Sequence, residues 1–236
     1  MVSLAEAMKE PTVSVVSDLE VQSDTLLVAF GGGFGAYFMP RFEFSRMASD
    51  LPVKKLFIRE HEPTWYQGGI PGLGLGIDEA AGAIRELVLR NGVDRTVMVG
   101  NSAGGYAALL FGELTGADTV LAFSPQTFVD RRNRLVHRDR RWPQPARRMR
   151  SLPRTPYQDL LRVLHGGATT SQVYYSGNHR LDRVHAERLR STPGVVLHRY
   201  DLASDKLVRV LRDQGDLGGI LHEALGLGER PDGPPA

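Results

Sequence analysis

The stretch VGNSAGGYAALL, residues 99–110, decides how this chain is read. It leads out of RTVMV, a run suited to a buried strand, into AGGYAALLFGEL, which suits a helix. Gly100, Ser102 and Gly104 satisfy G-x-S-x-G at that junction, where the motif has physical meaning. A serine in such a turn sits on strained backbone, and its neighbours must be small for strand and helix to approach. Here they are Gly100, Ala103, Gly104 and Gly105. The helix N-terminus adds oriented N–H groups and a positive partial charge, both favourable to a developing oxyanion. Ser102 is therefore the expected nucleophile and the Ala103 amide an expected oxyanion donor. The alternative is a glycine-rich turn with an incidental serine.

Working outward, short apolar runs alternate with longer amphipathic ones, the pattern of βαβ units around a mostly parallel sheet. TLLVAF (25–30), VKKLFI (53–58), TVMVG (96–100), TVLAF (119–123), QVYYS (172–176) and GVVLHRY (194–200) are the expected strands. Ile77, Ala80, Ala81, Ile84, Leu87 and Val88 recur at helical spacing between Asp78 and a stop at Gly92. Leu217, Ile220, Leu221, Ala224 and Leu225 form a last apolar stripe, with Asp216 as its expected cap. TVSVVSDLEVQ (12–22) is expected as an antiparallel hairpin at one edge. A length of 236 residues, 42% of them hydrophobic, suits one domain over 1–236, with 226–236 as a flexible tail. The absence of cysteine excludes disulfides, thiolate metal sites and cysteine nucleophiles, and the seven histidines are scattered without H-E-x-x-H spacing. We expect no metal and no cofactor. No segment approaches the roughly 18 apolar residues of a membrane span, so the default expectation is a cytoplasmic protein with no membrane partner.

A second glycine run, AFGGGFG (29–35), follows the strand TLLVAF. Backbone N–H groups of Gly32 or Gly33, paired with that of Ala103, suit the two halves of an oxyanion hole. A phosphate-binding loop is the competitor, but the Gly-Lys-Ser/Thr ending it needs is absent.

These segments together resemble the α/β-hydrolase superfamily. FIREHEPTWYQGGIPG (57–72), GNSAGGYAALLFG (100–112) and AFSPQTF (122–128) are similar to a family of bacterial α/β-hydrolase-like proteins with comparable WYQ-G-PG, S-x-GGYAA and F-PQ segments. The resemblance implies an α/β fold, a three-layer α/β/α sandwich on a mostly parallel sheet, and serine-dependent acyl chemistry. It fixes no substrate. It also implies the order serine, acid, histidine. The acid is expected after QVYYS, where Asp182 stands; its alternative role is a helix cap. The histidine is expected after GVVLHRY, but DLASDKLVRVLRDQG contains none, and Asp205 or Lys206 stands in its place. Three candidates can supply the base: His198 from the last strand, His179 or His185 from the acid loop, and Asp205 if burial raises its pKa. Trp65, Tyr66, Phe34 and Gln126 are expected to line a substrate pocket, with a tucked-in core role as the alternative for Trp65.

Of the 29 basic residues four are lysine, leaving 25 arginines, and ten of these fall between Arg131 and Arg154. They sit where this fold places a cap, over 124–156. Such a cap suits an anionic or carrier-bound acyl substrate, while a merely solvated cover is the bland reading, and nucleic acid lacks an accompanying motif. The functional expectation is a serine acyl hydrolase or acyltransferase of esterase, thioesterase or amidase type, with Ser102, Asp182 and a displaced base. The alternative is a hydrolysis-deficient protein that binds a ligand or performs a non-hydrolytic elimination or cyclisation.

Overall fold

The computed structural model describes residues 10, 12–32 and 44–228. Among them one sheet of seven strands has the order β1-β3-β2-β4-β5-β6-β7. The strands are β1 (Val15–Asp18), β2 (Thr25–Phe30), β3 (Lys54–Ile58), β4 (Arg95–Asn101), β5 (Thr119–Phe123), β6 (Thr170–Ser176) and β7 (Val195–Tyr200). All neighbours run parallel except β1, which pairs antiparallel with β3. The expected hairpin over 12–22 is thus a single edge strand. Its partner is the inner strand β3 rather than a second arm of its own, and Lys55 of β3 meets Asp18 across the pair at 3.2 Å.

Helices cover both faces, as a parallel sheet with two apolar faces requires. On one side lie α2 (Ile77–Arg90), α3 (Ala103–Thr115) and α6 (Arg180–Glu187). On the other lie α1 (Ser45–Ala48), α7 (Leu207–Gln214) and α8 (Asp216–Leu225). β2 is buried along its whole length, which explains its unbroken apolar sequence, whereas the edge strand β7 is only partly covered. Asp216 is the first residue of α8 and Gly215, at φ 87°, precedes it as the cap, because the turn from α7 needs a left-handed residue. The arginine-rich segment forms two short helices, α4 (Arg131–Val136) and α5 (Pro143–Arg148), followed by three single-turn 3₁₀ helices. Pro143 opens α5, a position where the missing N–H costs nothing.

The sequence order of the strands reverses between β2 and β4. Crevices that bind ligands in open α/β sheets form at the carboxyl ends of strands at such a point, and Ser102 follows directly on β4.

Candidate active site

Ser102 has φ 56° and ψ −115°, a conformation that costs an L residue of order 1–3 kcal/mol and persists only where packing enforces it. The enforcement is visible on both sides. A Cβ on Gly100 would stand 2.1 Å from the Gly104 carbonyl oxygen, and one on Gly104 would stand 2.3 Å from that of Phe30. The elbow is therefore pressed between its own strand and the end of β2, and only glycine fits at either position. The Ser102 N–H donates to the Phe123 carbonyl at 2.8 Å, tying the turn to β5. Ser102 itself is partly exposed. The amides of Ala103, Gly104 and Gly105 open α3 without an intrahelical acceptor. Gly32 is buried just beyond β2; Gly33 and Phe34 lie outside the described residues.

Gln126 touches the nucleophile. Its Nε2 donates to Ser102 Oγ at 2.8 Å, and its Oε1 accepts from the Trp65 indole at 3.1 Å. This bond fixes the orientation of the amide, since an indole N–H can only donate. Trp65 and Tyr66 are fully buried, so they do not line an open pocket as expected; Trp65 instead holds Gln126 through its indole N–H. Both have left-handed backbones, φ 54° and 62°, an uncommon pairing for bulky residues. Glu60 holds that turn. Its Oε1 accepts from Thr64 N at 2.7 Å, Thr64 Oγ1 at 2.6 Å and Tyr66 N at 2.7 Å, while Oε2 is buried without a partner. Burial raises the Glu60 pKa to about 7, against the lowering effect of these donors. The Tyr66 hydroxyl closes the arrangement by donating to the Gly31 carbonyl at 2.7 Å, beside the glycine turn.

The acid side is assembled by β6 and α6. Asp182 is buried in the first turn of α6, and its Oδ1 lies 3.0 Å from His179 Nδ1 and 3.5 Å from Arg141 Nη1. His179 is the cap residue of this helix; in one tautomer its Nδ1 accepts from the Asp182 amide at 3.4 Å. The shorter contact places the Nδ1 proton towards the carboxylate and leaves Nε2 without a partner among the described residues. Asp182 is thus both a first-turn acid and a partner for a histidine. Burial raises its pKa, opposed by His179 and Arg141. The Ser124 hydroxyl lies beside it off hydrogen-bond geometry, so Asp182 Oδ2 and Ser124 Oγ are both buried and unpaired.

His185, by contrast, is committed. It is 1% exposed, its Nδ1 accepts from Thr127 N at 2.9 Å, and its Nε2 donates to Asp139 Oδ2 at 3.0 Å. Those two bonds fix the neutral Nε2–H tautomer and leave no nitrogen for Ser102. Burial lowers its pKa to about 4, while Asp139 is held far below the usual carboxylate range by His185 and Arg141, outweighing its own burial. His198 stands opposite Tyr174 on β7, its Nε2 2.6 Å from Gln172 Oε1 and its ring stacked on Tyr174 at 4.4 Å. Three strand spacings, about 14 Å, separate β7 from β4. His198 is thus not brought to Ser102. Asp205 is exposed in the loop between β7 and α7.

Arg141 joins the two aspartates. Its guanidinium also grips Asp139, with Nε 3.1 Å from Oδ1 and Nη2 2.9 Å from Oδ2. Arg134 lies over the Trp65 ring at 6.0 Å. Glu60, Asp139 and Arg141 carry no motif of their own in the sequence; Asp139 and Arg141 lie in a stretch that draws notice by composition, and Glu60 does not.

The fold is that of the α/β hydrolases. Residues along 85% of this chain and 89% of the capsule O-acetyltransferase of Neisseria meningitidis serogroup A superpose with a TM-score of 0.60 at 11% identity. A thermophilic esterase from Thermogutta terrifontis matches over 93% of this chain and 91% of its own, with a TM-score of 0.57 at 14% identity. A hormone-sensitive lipase from a metagenome library matches over 91% and 82%, with a TM-score of 0.59 at 16% identity. No protein-family model matches the chain, and no curated protein matches it. Among the described residues no helix is long and apolar enough to cross a membrane.

Proposed function

We propose that the protein transfers acyl groups through Ser102, as a hydrolase or acyltransferase, with His179 as the base and Asp182 as the group that orients it. The observation that carries this reading is the strained, partly exposed Ser102 at the helix N-terminus after β4, at the same carboxyl edge of the sheet where the chain after β6 places a histidine whose Nδ1 is paired with a buried carboxylate and whose Nε2 is uncommitted. In the first half-reaction Ser102 Oγ bonds to the acyl carbon and its proton passes to His179 Nε2. The carbonyl oxygen takes the negative charge, held by the Ala103 amide and an amide of the turn after β2. Collapse expels the alcohol, thiol or amine, which takes the proton back from His179. Water then cleaves the acyl-serine in a hydrolase, or an acceptor hydroxyl in a transferase. Asp182 keeps the proton of the neutral imidazole on Nδ1 and stabilises the imidazolium once it forms.

Gln126 donates to Oγ, which leaves the hydroxyl proton free to point at a base. The resting bond between Oγ and Gln126 also supports a second reading, a pocket that binds or polarises a carbonyl without hydrolysis, because among the described residues no histidine is bonded to Ser102. Intact mass after incubation with a fluorophosphonate separates the two. Labelling of the wild type but not of Ser102→Ala supports the acyl-transfer reading. A folded protein that resists labelling and hydrolyses short esters no faster than Ser102→Ala rejects it in favour of the second.

A further inference from the structure

Eight of the ten arginines between Arg131 and Arg154 are exposed, and among the described residues none of the eight has a carboxylate within 4 Å. The acids nearby are already spent. Asp130 caps α4 through Asn133, Asp139 holds Arg141 and His185, and Asp159 holds Arg188 at 2.7 Å. Within this field two adjacent aliphatic residues face solvent: Leu135 is 76% exposed and Val136 66%. They follow Arg132 by three and four residues on α4, which puts all three on one exposed face, with Arg131 beside them and Arg138 just beyond. Asn133 and Arg134 form the inward side of the same helix.

We propose that this segment is a peripheral docking surface for an anionic lipid bilayer, with the arginines on the headgroup phosphates and Leu135 and Val136 in the acyl boundary. Guanidinium groups bind phosphate bidentately, and a basic surface tipped with aliphatic side chains fits an interface in which charge and hydrocarbon lie a few ångströms apart. A soluble anion would take the charges and leave the aliphatic pair in water. A folded protein partner demands a shaped match, whereas a single-sign spread of charge around a protruding tip fits a plane of mobile phosphates. The absence of a spanning helix among the described residues concerns crossing the bilayer and is compatible with lying on it.

The test is co-sedimentation of the full chain with vesicles of phosphatidylcholine alone or with about one third phosphatidylglycerol. The expected result is at least tenfold stronger binding to the anionic vesicles, lost in Arg131→Glu/Arg132→Glu/Arg138→Glu. Leu135→Ser/Val136→Ser should retain the salt dependence but bind several-fold more weakly. All five side chains are exposed, so unchanged melting temperatures will show that the variants fold. The proposal is overturned by equal binding to both vesicle types or by none. It is also overturned if the serine variant binds like the wild type while soluble polyphosphate competes completely, which makes this a plain anion site. Capture by an acidic polypeptide without vesicle binding assigns the surface to a protein partner instead. Each readout is independent of turnover at Ser102.

Discussion

Two histidines six residues apart, one capping α6 and one inside it, each meet an aspartate oxygen at 3.0 Å, and the resemblance ends there. His185 is sealed against Thr127 and Asp139 with both nitrogens in use, whereas His179, at the helix start, spends one nitrogen and keeps the other at the surface. The difference lies in position rather than residue type. A histidine inside the helix packs under the arginine-rich segment, and one at the cap faces the carboxyl end of the sheet. Arg141 spans the two aspartates, so the structural pair supports the pair proposed to be catalytic.

The largest expected effect breaks this contrast outright. His179→Ala should slow labelling of Ser102 at least 100-fold, the contribution of a positioned base, while the melting temperature stays within a few degrees. His185→Ala should do the reverse. Removing one member of a buried pair costs about 3–5 kcal/mol, or roughly 10 °C for a chain of this size, with residual labelling at permissive temperature. Calorimetry beside labelling kinetics checks both, and an inverted pattern would transfer the base to His185.

The contrast sharpens with pH. The folded His185 pKa of about 4 lies below its ordinary 6.5, so the stability from its neutral form is complete above pH 6.5 and is lost as pH falls towards 4, by about 3 kcal/mol. His185→Gln should flatten that acid limb in urea titrations. Glu60 has the opposite sign. Its folded pKa of about 7 lies above its ordinary 4.5, so the protein loses up to about 3 kcal/mol as pH rises from 4.5 through 7. Glu60→Gln, which keeps an acceptor for Thr64 and Tyr66, should gain on the wild type in melting temperature between pH 5 and pH 8. A constant difference across that range would show that Glu60 does not titrate there. The smallest effect belongs to Trp65→Phe, which keeps an aromatic ring of smaller size and loses the indole donor to Gln126. About 1 kcal/mol of stability and a few-fold change in labelling rate are expected.

Sequence patterning revealed the scaffold well because its cause is local. β2 and β5 coincide with their apolar runs, and the elbow is announced by glycines that the packing at Gly100 and Gly104 requires. The acid side is less legible because its pairs join distant segments. Asp139 and His185 are 46 residues apart, and Gln126 meets Trp65 across 61. Glu60 escapes altogether, since nothing in REHEPTWYQ says that one carboxylate oxygen will gather three donors while the other is left dry. Trp65 and Tyr66 look like exposed pocket aromatics for a similar reason. Only the left-handed turn tucks them inward.

The contact between Gly104 and the end of β2 has a mechanical consequence. The two amides proposed to receive the oxyanion belong to different chain segments, and their spacing is gauged by atoms already touching, since not even a methyl group fits between Gly104 and the Phe30 carbonyl. A gap set by hard contact does not drift with salt or protonation. Adaptation to a different acyl group therefore has to come from the walls around that gap, with its width left constant.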